Sequence, residues 1–376
     1  VIVGGGVAGL TIAKHVKKLQ PTANVVVVEK RQVFISGFIS NLYLVGLADY
    51  NFITHSYIEA AKANNYTYLN AAVHDVDKES RIVYTNEGSI DYDYLVMAPG
   101  IDYNYDSITG GDLENATNIR QNCSAAFIQG AETMALKNRL EFFEEGNFVL
   151  TVPAGNYRCL PGPYERAALF AWYFKKEEIP GKIILLDENP DITIKKEGFH
   201  AAFDEFYGDI LEYYPSSEIT KVDTDKKVIT TPFETIDYAE ASIYPRIRGA
   251  KILEQIGIAT KGAKEGDIDA FSNITKASNR IYVAGDARNQ GFSKSGNTAN
   301  SEGQRIARDI AARIDGKELD WKSPLTVCYS LVNGDPMEGI SVVAEYEFNQ
   351  KNEAFGFTNV KMQNKRDKLA GKADLE

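Results

Sequence analysis

The sequence predicts an α/β fold containing two parallel-sheet units, and three observations carry that prediction. The chain opens as strand, Gly-rich turn, helix, strand. A second strand–helix–strand unit occurs near the middle, and a late apolar strand ending in Gly285-Asp286 leads toward a long helical stretch. With 376 residues, 44% hydrophobic and 25% charged, the composition is that of a globular protein of two or three domains.

In the first unit, Val1–Val3 reads as a strand, Gly4-Gly5-Gly6-Val7-Ala8-Gly9 as the turn and Leu10–Leu19 as a helix. Val25–Val28 is a buried parallel strand closed by Glu29. A GxGxxG pattern alone is weak evidence, but this one lies between a strand and a helix. An acidic residue follows 20 positions after its last glycine (29 − 9). The spacing predicts a dinucleotide site. Gly4 permits the tight turn, Gly6 lets a pyrophosphate approach the backbone, and Gly9 lets helix and strand pack closely. The helix N-terminus attracts the anion and Glu29 accepts from a ribose. Residues 68–90 then read as a β-meander, and 91–100 as an apolar strand ending in Ala98-Pro99-Gly100.

In the middle unit, strands at Asn147–Pro153 and Lys182–Asp187 flank a helix at Tyr164–Lys176. Their connecting loop, Ala154–Pro163, has no glycine fingerprint. Prolines and bulky side chains stand where a pyrophosphate would need bare backbone, so no pyridine nucleotide is expected there. Cys159 occupies the slot instead. A helix starting near Pro163, together with Arg158 and Arg166, predicts a sulfur that leans toward thiolate. Glu165, in the first turn of that helix, is placed to shuttle protons. Cys328 lies in Thr326-Val327-Cys328-Tyr329-Ser330, and spacing does not decide whether the two sulfurs meet, since a bridge needs Cα atoms within about 7 Å. By residue type alone both also fit buried core cysteines; the Pro-Gly-Pro setting argues against that for Cys159. Cys123 has no comparable setting and reads as a core residue.

The formal net charge of −11 argues against nucleic-acid binding, which needs clustered Lys and Arg. The one dense basic run, Lys361–Lys372, is interspersed with polar and acidic residues and reads as a solvated tail. No run approaches the roughly 20 apolar residues that span a bilayer. His15, His55, His74 and His200 are scattered without metal-ligand spacing, so no metal is expected. The chain begins inside a strand, which predicts a segment upstream, a signal peptide being one possibility.

The order of these pieces resembles the glutathione-reductase-like flavoproteins, in which the Ala98-Pro99-Gly100 and Gly285-Asp286 turns would flank FAD and Asp286 would contact its ribityl chain. The sequence resembles one family more closely: the flavoprotein subunit of flavocytochrome c sulfide dehydrogenase. The matching segments are Arg158–Ala167, Lys294–Ser301 and Val327–Leu331 with Gly339–Val342, echoed by Ser40-Asn41 and Tyr244–Arg248. The resemblance implies two Rossmann-like dinucleotide-binding domains plus a small C-terminal α+β interface domain. The first part of the FAD domain would be 1–115, the second Rossmann-like domain 116–250, the returning part of the FAD domain 251–318 and the interface domain 319–376.

It further implies a redox disulfide, Cys159–Cys328, over the flavin. Hydrosulfide would open it to a persulfide, the released thiolate would reduce FAD, and electrons would leave singly to a c-type cytochrome subunit carrying the haem. Cys159 is expected to carry the substrate sulfur and Cys328 to lie nearer the flavin. Cofactor contacts are expected from Gly4, Gly6, Gly9, Glu29, Lys30, Asn41, Val73, Ala98, Pro99, Gly100, Asp286, Lys294, Ser295, Gly296 and Asn300. The implied location is the periplasm, with no membrane span.

Two departures stand out. Gly37 takes the place of the cysteine that attaches FAD covalently in many members, which predicts noncovalent FAD, and Asn352–Glu376 does not match the family pattern. The rival readings are a sulfide:quinone oxidoreductase, disfavoured by polar residues 347–376, and a pyridine-nucleotide-dependent disulfide or persulfide reductase, disfavoured by the missing second fingerprint. A third is a non-catalytic flavoprotein accessory of a sulfur-oxidation complex, which retention of both cysteines weighs against.

Overall fold

A computed structural model describes residues 1–367. Its first sheet is parallel and five-stranded, in the order Ile281–Val283, Leu95–Met97, Ile2–Val3, Val26–Glu29, Thr67–Asn70. Ile2 pairs with Val27 on one side and Val96 on the other, so the Gly-rich turn leaves the central strand at its carboxyl end, where open α/β sheets bind ligands. Helices Val7–Leu19 and Gly296–Ile314 pack side by side against this sheet, burying Ile12, Ala13, Val27, Tyr282, Ile306 and Ala307. The late Ile281–Val283 strand therefore returns the chain to its first sheet. An antiparallel meander, Val73–Asp77, Ile82–Thr85 and Gly88–Asp91, joins a second apolar cluster that includes Val3, Val83, Met97 and Val283.

The second sheet is also parallel, ordered Leu211–Tyr214, Gly181–Asp187, Gly146–Val152, Glu240–Ser242. Helix Gly162–Lys176 is buried over nearly its whole length. A helix buried on more than one side needs cover on each of them. Here its own sheet supplies one and the C-terminal strand Thr326–Gly334 the other. An antiparallel pair, Ile101–Asn104 with Arg246–Gly249, links the two sheet systems.

The C-terminal sheet is antiparallel: Thr326–Gly334, Met337–Asn349, Ala354–Asp367. Residues 326–367 contribute strands, and the helical layer against them comes from Gly162–Lys176 and Lys196–Tyr207. The expected solvated tail is corrected in part. Lys361 pairs with Val343 and Gln363 with Ser341, so this stretch closes the sheet while the Lys361, Met362 and Gln363 side chains stay exposed. Charged side chains exposed on an edge strand are a common feature of native sheets. Residues 368–372 of that basic run lie outside the described residues. Among the described residues no helix is long and apolar enough to cross a membrane.

Candidate functional site

The first βα turn is shaped for close backbone approach. A Cβ on Gly4 would sit 2.2 Å from the Ala98 carbonyl oxygen, and one on Gly9 2.1 Å from the Gly4 oxygen. Gly4 also has a φ of +105°, which strongly disfavours any side chain. Gly6 differs: it is exposed, caps the N-terminus of the Val7–Leu19 helix and has nothing within 4 Å of where its Cβ would be. No acidic residue stands in that helix's first turn. Glu29 Oε2 accepts from the Gly5 amide at 2.7 Å and Oε1 from the Arg31 amide at 2.9 Å. Tyr57 donates to the Gly5 oxygen at 3.0 Å and stacks on Tyr68. Open space over positive helix-end amides, beside an anchored carboxylate, fits the pyrophosphate and ribose of a dinucleotide. Lys30 is exposed beside Glu29, and Val73 is half-buried at the start of the meander.

A second turn faces the same end of the sheet. Gly285 takes a φ of +66°, and its amide donates to Glu302 Oε2 at 2.8 Å. Glu302 is fully buried and neutralised by Arg288, 3.0 Å away. This pair holds the turn carrying Asp286, whose Oδ2 accepts from Arg158 Nε at 2.5 Å. Burial opposes ionisation of Asp286, but the cations Arg158, Lys294 and Arg288 win and hold its carboxyl below the usual range. Arg158 also donates to the Phe127 oxygen at 2.8 Å and approaches Gly100, which follows buried Ala98 and half-buried Pro99.

The other expected contacts around this turn are held by protein. Lys294 Nζ is wholly buried between Glu265 Oε1 (2.7 Å) and the Asp286 oxygen (2.9 Å). Ser295 caps the Gly296–Ile314 helix through the Thr298 amide at 3.2 Å, and Gly296 abuts the Phe38 ring. Asn300 Oδ1 accepts from Thr11 at 3.0 Å, tying that helix to the first one.

Cys159 sits where the two sheet systems touch. Its amide donates to the Lys294 oxygen at 2.8 Å, its own oxygen accepts from Gly162, and its φ is +61°, a region costly for a residue bearing a Cβ. Cys328, on the Thr326–Gly334 strand, is near enough to help raise the Cys159 thiol; both cysteines are free thiols in this structure, so the expected Cys159–Cys328 disulfide is not formed in it.

The expected thiolate-leaning Cys159 is overturned. Burial, then the Cys328 sulfur and the Glu165 carboxylate, push its thiol far up, and Lys195 and the Gly162 amide only partly counter this. The nearby arginines are engaged elsewhere. Arg158 faces Asp286, while Arg166 donates to Asn41 Oδ1 (3.0 Å) and to the Ala125 and Ala126 oxygens, with Phe127 4.0 Å from its guanidinium.

Glu165 is buried against three chain segments. Its Oε2 accepts from Asn41 Nδ2 at 2.8 Å and its Oε1 from the Leu331 amide at 2.8 Å. Asn41 Nδ2 also donates to the Gly162 oxygen at 3.1 Å, which ties the Ser40–Leu44 helix to the Gly162–Lys176 helix. Sequence reasoning missed Lys195. It caps the Lys196–Tyr207 helix in a left-handed conformation (φ 55°), is 1% exposed and reaches Ser330 Oγ at 2.6 Å and Cys328 Sγ at 3.9 Å. In sequence it reads only as one of two adjacent lysines, and nothing there marks it as internal.

Residues 1–136 match the family model "Pyridine nucleotide-disulphide oxidoreductase", and residues 133–245 match "Sulfide dehydrogenase [flavocytochrome c] flavoprotein chain, central". The mitochondrial sulfide:quinone oxidoreductase of Mus musculus is 25% identical over 46% of this chain, and the sulfide-quinone reductase of Aquifex aeolicus 26% identical over 49%. Those alignments span 38% and 41% of the two relatives. The Dictyostelium discoideum mitochondrial sulfide:quinone oxidoreductase aligns over 94% of this chain and 81% of its own, at 22% identity. The solved Aquifex aeolicus sulfide:quinone oxidoreductase superposes with a TM-score of 0.79 over 99% of this chain and 88% of that one, at 14% identity. A NAD-dependent persulfide reductase from A. fulgidus gives 0.69 over 93% and 64%, at 16% identity. The fold is the mixed α/β fold of the pyridine nucleotide-disulphide oxidoreductase structures.

Proposed function

We propose that this chain is the FAD-binding subunit of an exported, periplasmic sulfide dehydrogenase, oxidising sulfide at Cys159 and Cys328 and passing electrons to a c-type cytochrome subunit. One observation carries the reading. Two cysteines from distant segments come together at the junction of both sheets, beside the Asp286 turn and a buried carboxylate. The matched sulfide dehydrogenase and sulfide:quinone oxidoreductase names support the substrate.

The Gly4–Gly9 turn, Glu29 and the Asp286 turn would hold FAD, which supplies a two-electron acceptor able to release electrons singly. The residues themselves set up the sulfur chemistry. With the pair oxidised, hydrosulfide attacks Cys159 Sγ and the S–S bond breaks. Its electron pair leaves on Cys328, and Cys159 carries the persulfide. Glu165 lies beside Cys159 and is placed to take the persulfide proton. Gly37 supports noncovalent binding because glycine offers no sulfur for a thioether link; a Cβ there would meet only the flexible end of Gln129, at 2.6 Å.

Anaerobic titration with sulfide tests the proposal. Bleaching of the flavin by sulfide but not NADH, followed by reduction of added cytochrome c, is the expected result; a flavin that sulfide leaves oxidised would remove it. A quinone acceptor is the second reading, favoured by the relatives and by Phe357, Val360 and Met362 exposed on the last strand. Faster reoxidation by a water-soluble quinone than by cytochrome c would select it.

A further inference from the structure

Lys195 is a charged side chain in a place that normally excludes charge. A buried ammonium is retained where it is paired and hydrogen-bonded. Its Nζ donates to Ser330 Oγ at 2.6 Å, with the Cys328 oxygen at 3.4 Å and the Ile340 oxygen at 3.5 Å. These partners are neutral. Cys328 Sγ lies 3.9 Å away, within reach of a sulfur-accepting bond, and Cys159 feels the same charge. The Phe199 ring, 5.9 Å from Nζ, closes another side. The ammonium is aimed by its backbone: a left-handed residue at the head of the Lys196–Tyr207 helix directs the side chain inward.

We propose that Lys195 stabilises a thiolate on Cys328 and thereby makes Cys328 the leaving sulfur and Cys159 the attacked sulfur of the pair. The leaving role rests on the sulfide-oxidation reading; the thiolate preference does not. In the exchange the incoming sulfur bonds to Cys159 Sγ, the S–S bond breaks, and the electron pair settles on Cys328 Sγ facing the ammonium. Nothing else need supply charge, and at this step the proton remains on the new persulfide, ahead of any transfer to Glu165. A leaving thiolate departs faster the better its charge is stabilised. Other titratable groups reinforce the asymmetry. Glu165, on the Gly162–Lys176 helix, lies beside Cys159 and disfavours a thiolate there. Tyr164 of that helix is turned to Asp187 at 2.7 Å, and the Met337–Asn349 strand presents the Ile340 carbonyl.

The test is alkylation of the reduced holoprotein with iodoacetamide across pH, read peptide by peptide by mass spectrometry, in wild type, Lys195→Met and Lys195→Arg. In wild type, Cys328 should label at lower pH than Cys159. Lys195→Met should slow Cys328 labelling near neutral pH by about tenfold, the effect of one pKa unit, and Lys195→Arg should restore it. Cys123, wholly buried, reports folding. Should Lys195→Met expose it to label, the wild-type order and Lys195→Arg decide the question. Cys159 labelling before Cys328 in wild type, or unchanged Cys328 labelling in folded Lys195→Met, overturns the inference. Sulfide takes no part in this measurement. A flavin that sulfide fails to bleach would remove the function while leaving the role of Lys195 standing.

Discussion

The two βαβ units of this chain are built on one plan and diverge in the loop. In each, an acidic side chain at the end of the second strand accepts from a loop amide: Glu29 from Gly5 and Glu188 from Ala154, both at 2.7 Å. In the first unit the loop is glycine, Gly6 faces open space, and the helix-end amides are available to an anion. In the second, Tyr157 fills the loop from inside, hydrogen-bonding the Leu160 oxygen (3.0 Å) and Thr193 (2.9 Å), and Cys159 occupies a left-handed position. Asp187 below it is spent on Tyr164 and Tyr213. The same scaffold thus presents backbone in one place and a sulfur in the other. Side-chain volume in a short loop decides between them.

The largest expected effect separates the loops directly. Gly4→Ala should yield protein without flavin, because its Cβ has no room and its φ forbids it. Gly155→Ala, also at positive φ (+88°) but in open space, should keep its flavin and lose about 1–2 kcal/mol in chemical denaturation. Equal flavin loss in both would show that the loops are not specialised as described. Next, Cys159→Ser and Cys328→Ser should each reduce sulfide-dependent flavin bleaching to background while retaining flavin, since the sulfur pair lies outside the Gly-rich cradle.

Glu165→Gln should have a smaller effect, with a definite sign. The Glu165 carboxylate raises the Cys159 thiol, so its neutral replacement lowers that pKa and gives more thiolate at any given pH. Alkylation of reduced Cys159 should then begin at lower pH than in wild type; a shift to higher pH would contradict the geometry. Smallest of all, Glu29→Gln should weaken FAD retention severalfold in a dilution assay. Glu188→Gln should leave flavin untouched and cost about 1 kcal/mol of stability.

The first unit was readable because its determinants are local. Gly4, Gly6 and Gly9 act on a turn a few residues long, and Glu29 follows at a fixed distance. The second unit's missing nucleotide loop was readable for the same reason. The environment of the sulfurs was not. A helix N-terminus with two arginines points to thiolate, but the sign was set by burial and by Glu165 and Cys328, which only the folded chain brings near Cys159. Arg158 is drawn off by Asp286, 128 positions away, and Asn41 is claimed by Glu165 and Arg166. Lys195 could not be told from its neighbour Lys196, because its seat is made by Ser330, 135 positions later.

The amide of Leu331 donates to Glu165 across 166 positions of chain, and Asn41 reaches the same carboxylate from the other direction. That single carboxylate makes the order of synthesis matter. A ribosome that has just added Glu165 has yet to make Lys195, the Asp286 turn and Cys328. The nascent polypeptide therefore holds Cys159 without its partner or its counter-charge, and a carboxylate still lacking its Leu331 donor. Only when the last sheet docks does the pair exist, so the two-sulfur exchange proposed above requires the Thr326–Gly334 strand to be in place.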